Sequence, residues 1–104
     1  MQEPRRVRRY PFSAPADLAV EHSGATTPVH VKELSLYGCF VEAPITLRSH
    51  TQVRLKIYGP HDYFEAKAMV IYTRPNVGLG LVFWDVTPGF QPILKKWLSQ
   101  AKQE

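Results

Sequence analysis

Cysteine is nearly absent from this 104-residue chain. The one instance, Cys39, excludes an internal disulfide and leaves no cysteine cage for a metal within one chain. Histidine is sparse too, and His22, His30, His50 and His61 fall at turns and strand edges with spacings unlike a metal site. No apolar run approaches the ~18 residues that cross a bilayer. The arginine-rich start lacks the following apolar core of about 7–15 residues that a secretion signal carries. The six glycines make no phosphate-cradling loop, and no carboxylate pair or nucleophile–base arrangement stands out, so no enzyme is expected. Cys39, with neither a base nor a helix start evident beside it, is expected in the core rather than as a catalytic thiol. The cytoplasm is the expected compartment.

What is present belongs to a folded chain. Apolar residues make up 44% and aromatics 12% of the sequence, enough for one domain with a single core. Charge is unevenly placed. Residues 1–10 hold Arg5, Arg6, Arg8 and Arg9 against Glu3, a net +3, while the other 94 residues carry nine basic and eight acidic side chains. A protein that tracks duplex nucleic acid usually spreads its basic residues over its body. A nearly neutral body with a basic end fits a small anionic ligand better.

Alternation then predicts strands. Pro11 and Pro15 punctuate an extended lead into "DLAVEH" (17–22), and "SGATTP" turns the chain toward "VHVKELS" (29–35). In the latter, Val29, Val31 and Glu33 fall on one face. "YGCFVEA" gives a third strand, and "TQVRLKIYG" the cleanest alternation, with Val53, Leu55 and Ile57 facing one way. "YFEAKAMVIYTR" shares one face among Phe64, Ala66, Ala68, Val70 and Tyr72. "LGLVFWDV" is apolar on both sides and so reads as a covered strand. From residue 90 the period changes: Phe90, Ile93, Leu94, Trp97, Leu98 and Ala101 recur at helical spacing, with Lys95 and Lys96 on a solvated side. About six strands and a helix over 90–102 describe an all-β antiparallel barrel or curled sheet with a C-terminal α-helix packed on it. Trp84 and Trp97 are expected to pack against each other's elements.

Two stretches carry candidate chemistry. "RRVRRYPF" (5–12) concentrates guanidinium groups, which are planar, forked and suited to phosphates and to the acceptor edge of guanine. "ELSLYGCFVE" (33–42) places a carboxylate, a hydroxyl and a glycine at positions 33, 35 and 38. On a strand Glu33 and Ser35 share a face. Glutamate accepts from guanine's N–H groups, and serine donates or accepts. Gly38 permits either a left-handed turn or a close approach of a ligand to the backbone.

Together these motifs resemble the PilZ domain, a bacterial receptor module for cyclic di-GMP. The family pattern is Arg-x-x-x-Arg followed by Asp/Asn-x-Ser-x-x-Gly. Arg5 and Arg9 match the first element, and Ser35 and Gly38 match the second, while Glu33 replaces the usual Asp or Asn. "GLGLVFWDV" (78–86) and the closing helix extend the likeness over nearly the whole chain. The resemblance implies a six-stranded split barrel over residues 13–104 and a flexible arginine arm over 1–12. It also implies cyclic di-GMP as ligand, held by Arg5, Arg6, Arg9, Glu33, Ser35 and Gly38, with no cofactor or metal. The clamped arm would then signal to an effector protein, without duplex nucleic acid or membrane insertion. A relative that has lost the nucleotide through Glu33 and works by protein contacts is the alternative. Ser35→Ala is expected to weaken ligand binding and leave thermal stability nearly intact.

Overall fold

The structure is a computed structural model describing residues 8–102. Six strands, β1 (Tyr10–Val20), β2 (Thr26–Leu34), β3 (Gly38–Glu42), β4 (Gln52–Tyr58), β5 (Tyr63–Arg74) and β6 (Gly78–Asp85), close into an antiparallel barrel in the order β1-β2-β3-β6-β5-β4. A 3₁₀ turn over Pro88–Phe90 leads into the helix α1 (Gln91–Lys102). The all-β barrel with one terminal helix is the architecture that the alternation and the change of period predict.

Alternation fills the interior as expected. Val53, Leu55 and Ile57 of β4 are buried, as are Phe64, Ala66, Ala68 and Val70 of β5. The valine, leucine, isoleucine and phenylalanine side chains among them each contribute about 1.5–3 kcal/mol when fully withdrawn from water, and the alanine methyls less. Tyr72 is only half-buried, because the β5–β6 register slips between Val70 and Tyr72. Such bulges bend a sheet and help it close. Cys39 lies in the core, where burial pushes its thiol up to about 12, so it stays protonated and inert near neutrality.

β1 corrects the sequence reading. It starts at Tyr10, well before the alternation at 17, and runs through Pro11 and Pro15. The prolines fit because only Ala16–Val20 pair with β4, whereas the first half of β1 pairs with β2 alone. One side of that half-strand has no ladder to donate to, and a residue without an N–H is tolerated there. Phe12 therefore belongs to the body of the fold: its ring stacks on Trp97 of α1 at 5.4 Å.

α1 packs against β1 and β5 through Leu94, Trp97 and Leu98, all buried. Pro92 sits in its first turn, where a missing N–H costs little. Asp62, in the β4–β5 turn, fastens the helix by accepting from Trp97 Nε1 at 3.0 Å and from Lys96 Nζ at 2.5 Å. Lys96 is thus a fastener rather than part of a merely solvated face. Trp84 also departs from expectation. It is half exposed on the outer face, with Lys67 Nζ 5.5 Å from its ring.

The hydrogen bond from Lys96 holds the Asp62 carboxyl below its ordinary range. A carboxylate with a depressed folded-state pKa stabilises above its unfolded pKa and loses that contribution as pH falls through the folded value. The melting-temperature gap between wild type and Asp62→Asn is therefore expected to be widest near neutrality and to close in acid. Melts followed by circular dichroism across that range check this. A gap that stays constant with pH would separate the latch from the carboxylate's charge.

Candidate functional site

The second motif is a built turn. β2 ends at Leu34, so Ser35 stands just outside the strand, and its side chain is buried rather than presented beside Glu33. Its Oγ donates to the Gly38 carbonyl at 3.2 Å and accepts from the N–H groups of Tyr37 (3.2 Å) and Gly38 (3.1 Å). The Ser35 N–H also donates to the Gly38 carbonyl, at 2.8 Å. The turn is tied to β6 by the Phe83 N–H, which donates to the Tyr37 carbonyl at 2.8 Å. Serine suits this place because one small hydroxyl satisfies several backbone groups that bending would orphan.

Gly38 is used for close approach, and here the approaching group is the β6 backbone. A Cβ at this position would run into the Leu81 carbonyl oxygen. The left-handed alternative does not apply, since Gly24 is the glycine with a positive φ, 74°.

Glu33 departs from the face of Val29 and Val31. The β2–β3 register slips between Val31 and Glu33, which turns Glu33 outward and leaves Leu34 buried in its stead. Outside the barrel its carboxylate meets Arg9, with Nη1 3.7 Å from Oε1. Arg9 directly precedes β1, whose Tyr10 and Pro11 pair with Leu34 and Glu33. Pairing of the first strand with the second therefore delivers the arginine to the turn. Arg5 and Arg6 lie outside the described residues.

Arg9, Ser35, Tyr37, Gly38, Cys39, Ile71, Gly80, Leu81 and Val82 line a groove of about 120 Å³. Sites for small ligands commonly span about 300–1,000 Å³, so this groove has room for only part of a ligand of that size. A larger hollow of about 330 Å³ runs by Asp17, Arg54, Lys56, Glu65, Lys67 and Asp85. Its charges have both signs, and Lys56 and Glu65 approach to 4.0 Å. None of the motif residues borders it, and the groove at the turn is the better candidate despite its size.

Sequence reasoning missed Ile71, Gly80, Leu81 and Val82. They reach the groove only because β6 pairs with both β3 and β5, and no local pattern announces which strands will be neighbours. Tyr37, which is 57% exposed, was legible as part of the motif but not as a groove wall.

Removing the Ser35 hydroxyl leaves the Tyr37 and Gly38 N–H groups without their partner. Ser35→Ala is therefore expected to cost about 1–3 kcal/mol of stability, contrary to the near-neutral effect read from sequence. Urea denaturation measures it. A loss below that range would show that solvent replaces the hydroxyl freely.

A closed antiparallel barrel carries, beside the Ser35–Gly38 turn, a partly open groove whose charged wall is Arg9. The chain belongs to the PilZ domain family, whose pattern matches residues 2–100. Solved structures agree on the fold. The PilZ domain of YcgR from Escherichia coli, determined with c-di-GMP, has a TM-score of 0.75 at 16% identity, covering 97% of this chain and 93% of that one. The PilZ domain of CeSA from a cellulose-synthesizing bacterium has a TM-score of 0.67 at 19% identity, covering 93% and 99%. The Bacillus subtilis inhibitor of motility reaches 0.77 at 18% identity, and this chain, 99% covered, spans 53% of it. No curated protein matches the chain in sequence. Among the described residues, no helix is long and apolar enough to cross a membrane.

Proposed function

We propose that this chain is a cyclic di-GMP receptor module of the cytoplasm that signals to a protein partner through its N-terminal arm. One observation carries the reading: Arg9, Ser35 and Gly38, drawn from two motifs more than twenty residues apart, border one groove, and Glu33 pairs with Arg9. Family membership and the c-di-GMP bound to the YcgR PilZ domain support it.

Binding proceeds by exchange of partners. The Arg9–Glu33 pair is loose and exposed, worth about 0–1 kcal/mol, so a dianionic ligand displaces it at small cost. The freed guanidinium takes a phosphate or the O6/N7 edge of guanine. Glu33 accepts from the guanine N–H edge, its extra methylene lengthening the reach relative to the family's Asp or Asn. Ser35 and Gly38 act mainly by fixing the turn beneath the base. Arg5 and Arg6, which lie outside the described residues, join the grip by the family pattern, and ordering of the arm on the ligand is the signal that a partner reads. The work is recognition and switching, with no bond made or broken.

A second reading, a protein-contact adaptor without nucleotide, is favoured by one feature. Leu36, Tyr37 and Trp84 are exposed apolar side chains bordering one hollow beside the turn. Isothermal titration with cyclic di-GMP, against GTP and a short single-stranded oligonucleotide, separates the readings. Saturable binding of the cyclic dinucleotide alone supports the receptor. Absence of heat with an unchanged melting temperature favours the adaptor, and affinity that grows with oligonucleotide length points to single-stranded nucleic acid instead.

A further inference from the structure

Next to the groove, the outer face of β3, β6 and β5 carries two aromatic rings and a guanidinium. Phe40, Gly80 and Tyr72 stand in register across these strands, and Glu33 continues the row on β2. The Phe40 and Tyr72 rings are stacked, with centroids 6.2 Å apart and planes 21° from parallel. Gly80 makes this possible, since a Cβ there would strike the Tyr72 ring. Arg74 is drawn back over the pair, its Cζ 5.5 Å from the Phe40 centroid and 5.6 Å from that of Tyr72. Among the described residues no carboxylate lies within ion-pairing distance of it. Arg74 is exposed.

A guanidinium resting on rings is pre-oriented, so a ligand that meets it loses little further freedom. Its plane suits stacking under a purine, and its N–H edge suits the O6/N7 acceptors. Strands lie about 4.8 Å apart, which puts Tyr72 roughly 14 Å across the sheet from Glu33. That span exceeds one nucleotide and suits a ligand with two bases. The groove beside Arg9, at about 120 Å³, seats only part of such a ligand.

We infer that Arg74, held on Phe40 and Tyr72, is a second contact of the site and takes the guanine of the nucleotide half that Arg9 does not hold. This rests on the cyclic di-GMP reading above and adds a residue outside both sequence motifs. The role depends on the flat, forked shape of the group as well as its charge. Lysine, a compact point charge, does not substitute.

The test is calorimetric titration of cyclic di-GMP into wild type, Arg74→Ala and Arg74→Lys at one salt concentration, with melting temperatures measured alongside. Both variants are expected to bind about tenfold to a hundredfold more weakly, with melting temperatures at the wild-type value. Wild-type affinity in Arg74→Ala would overturn the inference while leaving the receptor reading in place. Wild-type affinity in Arg74→Lys alone would reduce Arg74 to a general positive charge and overturn the stacked contact. No binding by the wild type would remove the receptor reading, and this contact with it.

Discussion

Trp97→Ala is expected to lower the unfolding free energy by about 3–5 kcal/mol, the usual cost of deleting a buried large aromatic. Few single changes in this fold should cost more. The indole is 3% exposed and joins three parts of the chain: Phe12 at the start of β1, Phe64 on β5 and Asp62 in the turn between β4 and β5. Gly59 is shaped around it as well, since a Cβ there would come within 2.7 Å of Trp97 Cζ2. For a domain whose total stability is about 5–15 kcal/mol, alanine removes a large fraction and frees the helix from the barrel. Trp97→Phe keeps a ring on Phe12 and loses the hydrogen bond to Asp62, so its cost is smaller. Guanidinium denaturation of the three proteins gives the order. A loss under 1 kcal/mol in the alanine variant would mean that the helix contributes little to the core.

Arg9→Ala is expected to act in the opposite domain of effects. Stability should change little, because its ion pair with Glu33 is loose and its side chain is 53% exposed. Affinity for cyclic di-GMP should fall by about a hundredfold, the scale seen when one partner of a hydrogen-bonded charge pair is truncated at an interface. Titration and thermal melts on the same samples separate the two quantities. Unchanged affinity would place the ligand elsewhere, and a collapsed melting temperature would make Arg9 a structural residue.

Much of this fold was legible, and the failures have physical causes. β4 announced itself because a strand with one face on the core must alternate, and Val53, Leu55 and Ile57 do. The helix did so because the period of apolar residues changes after Pro88 and Gly89. The start of β1 was hidden by Pro11 and Pro15, which argue against a strand unless one side of it is unpaired. That exception is a property of the assembled barrel. "RRVRRYPF" looked like one arm, yet its last three residues, Tyr10 to Phe12, belong to β1.

The site was readable as residue types and only partly as geometry. Arg9, Ser35 and Gly38 border one groove, and Glu33 pairs with Arg9 outside the barrel. Strict alternation misplaced Glu33, because a register slip after Val31 is invisible in a two-residue period, and it put Ser35 on a strand that ends one residue earlier. Trp84 was expected to be covered because its strand is apolar on both sides. The helix instead packs on β1 and β5 and leaves it half exposed. The groove walls contributed by Ile71 and Gly80, and the Asp62 latch, depend on long-range pairing that no short stretch encodes.

The most direct test is a ¹H–¹⁵N correlation spectrum of the wild-type protein titrated with cyclic di-GMP. Binding at this groove predicts saturable shifts at the backbone amides of Arg9, Ser35 to Gly38 and Gly80, with the helix amides from Leu94 to Leu98 undisturbed. No shifts at saturating ligand, or shifts centred on the hollow between Lys56 and Asp85, would contradict it.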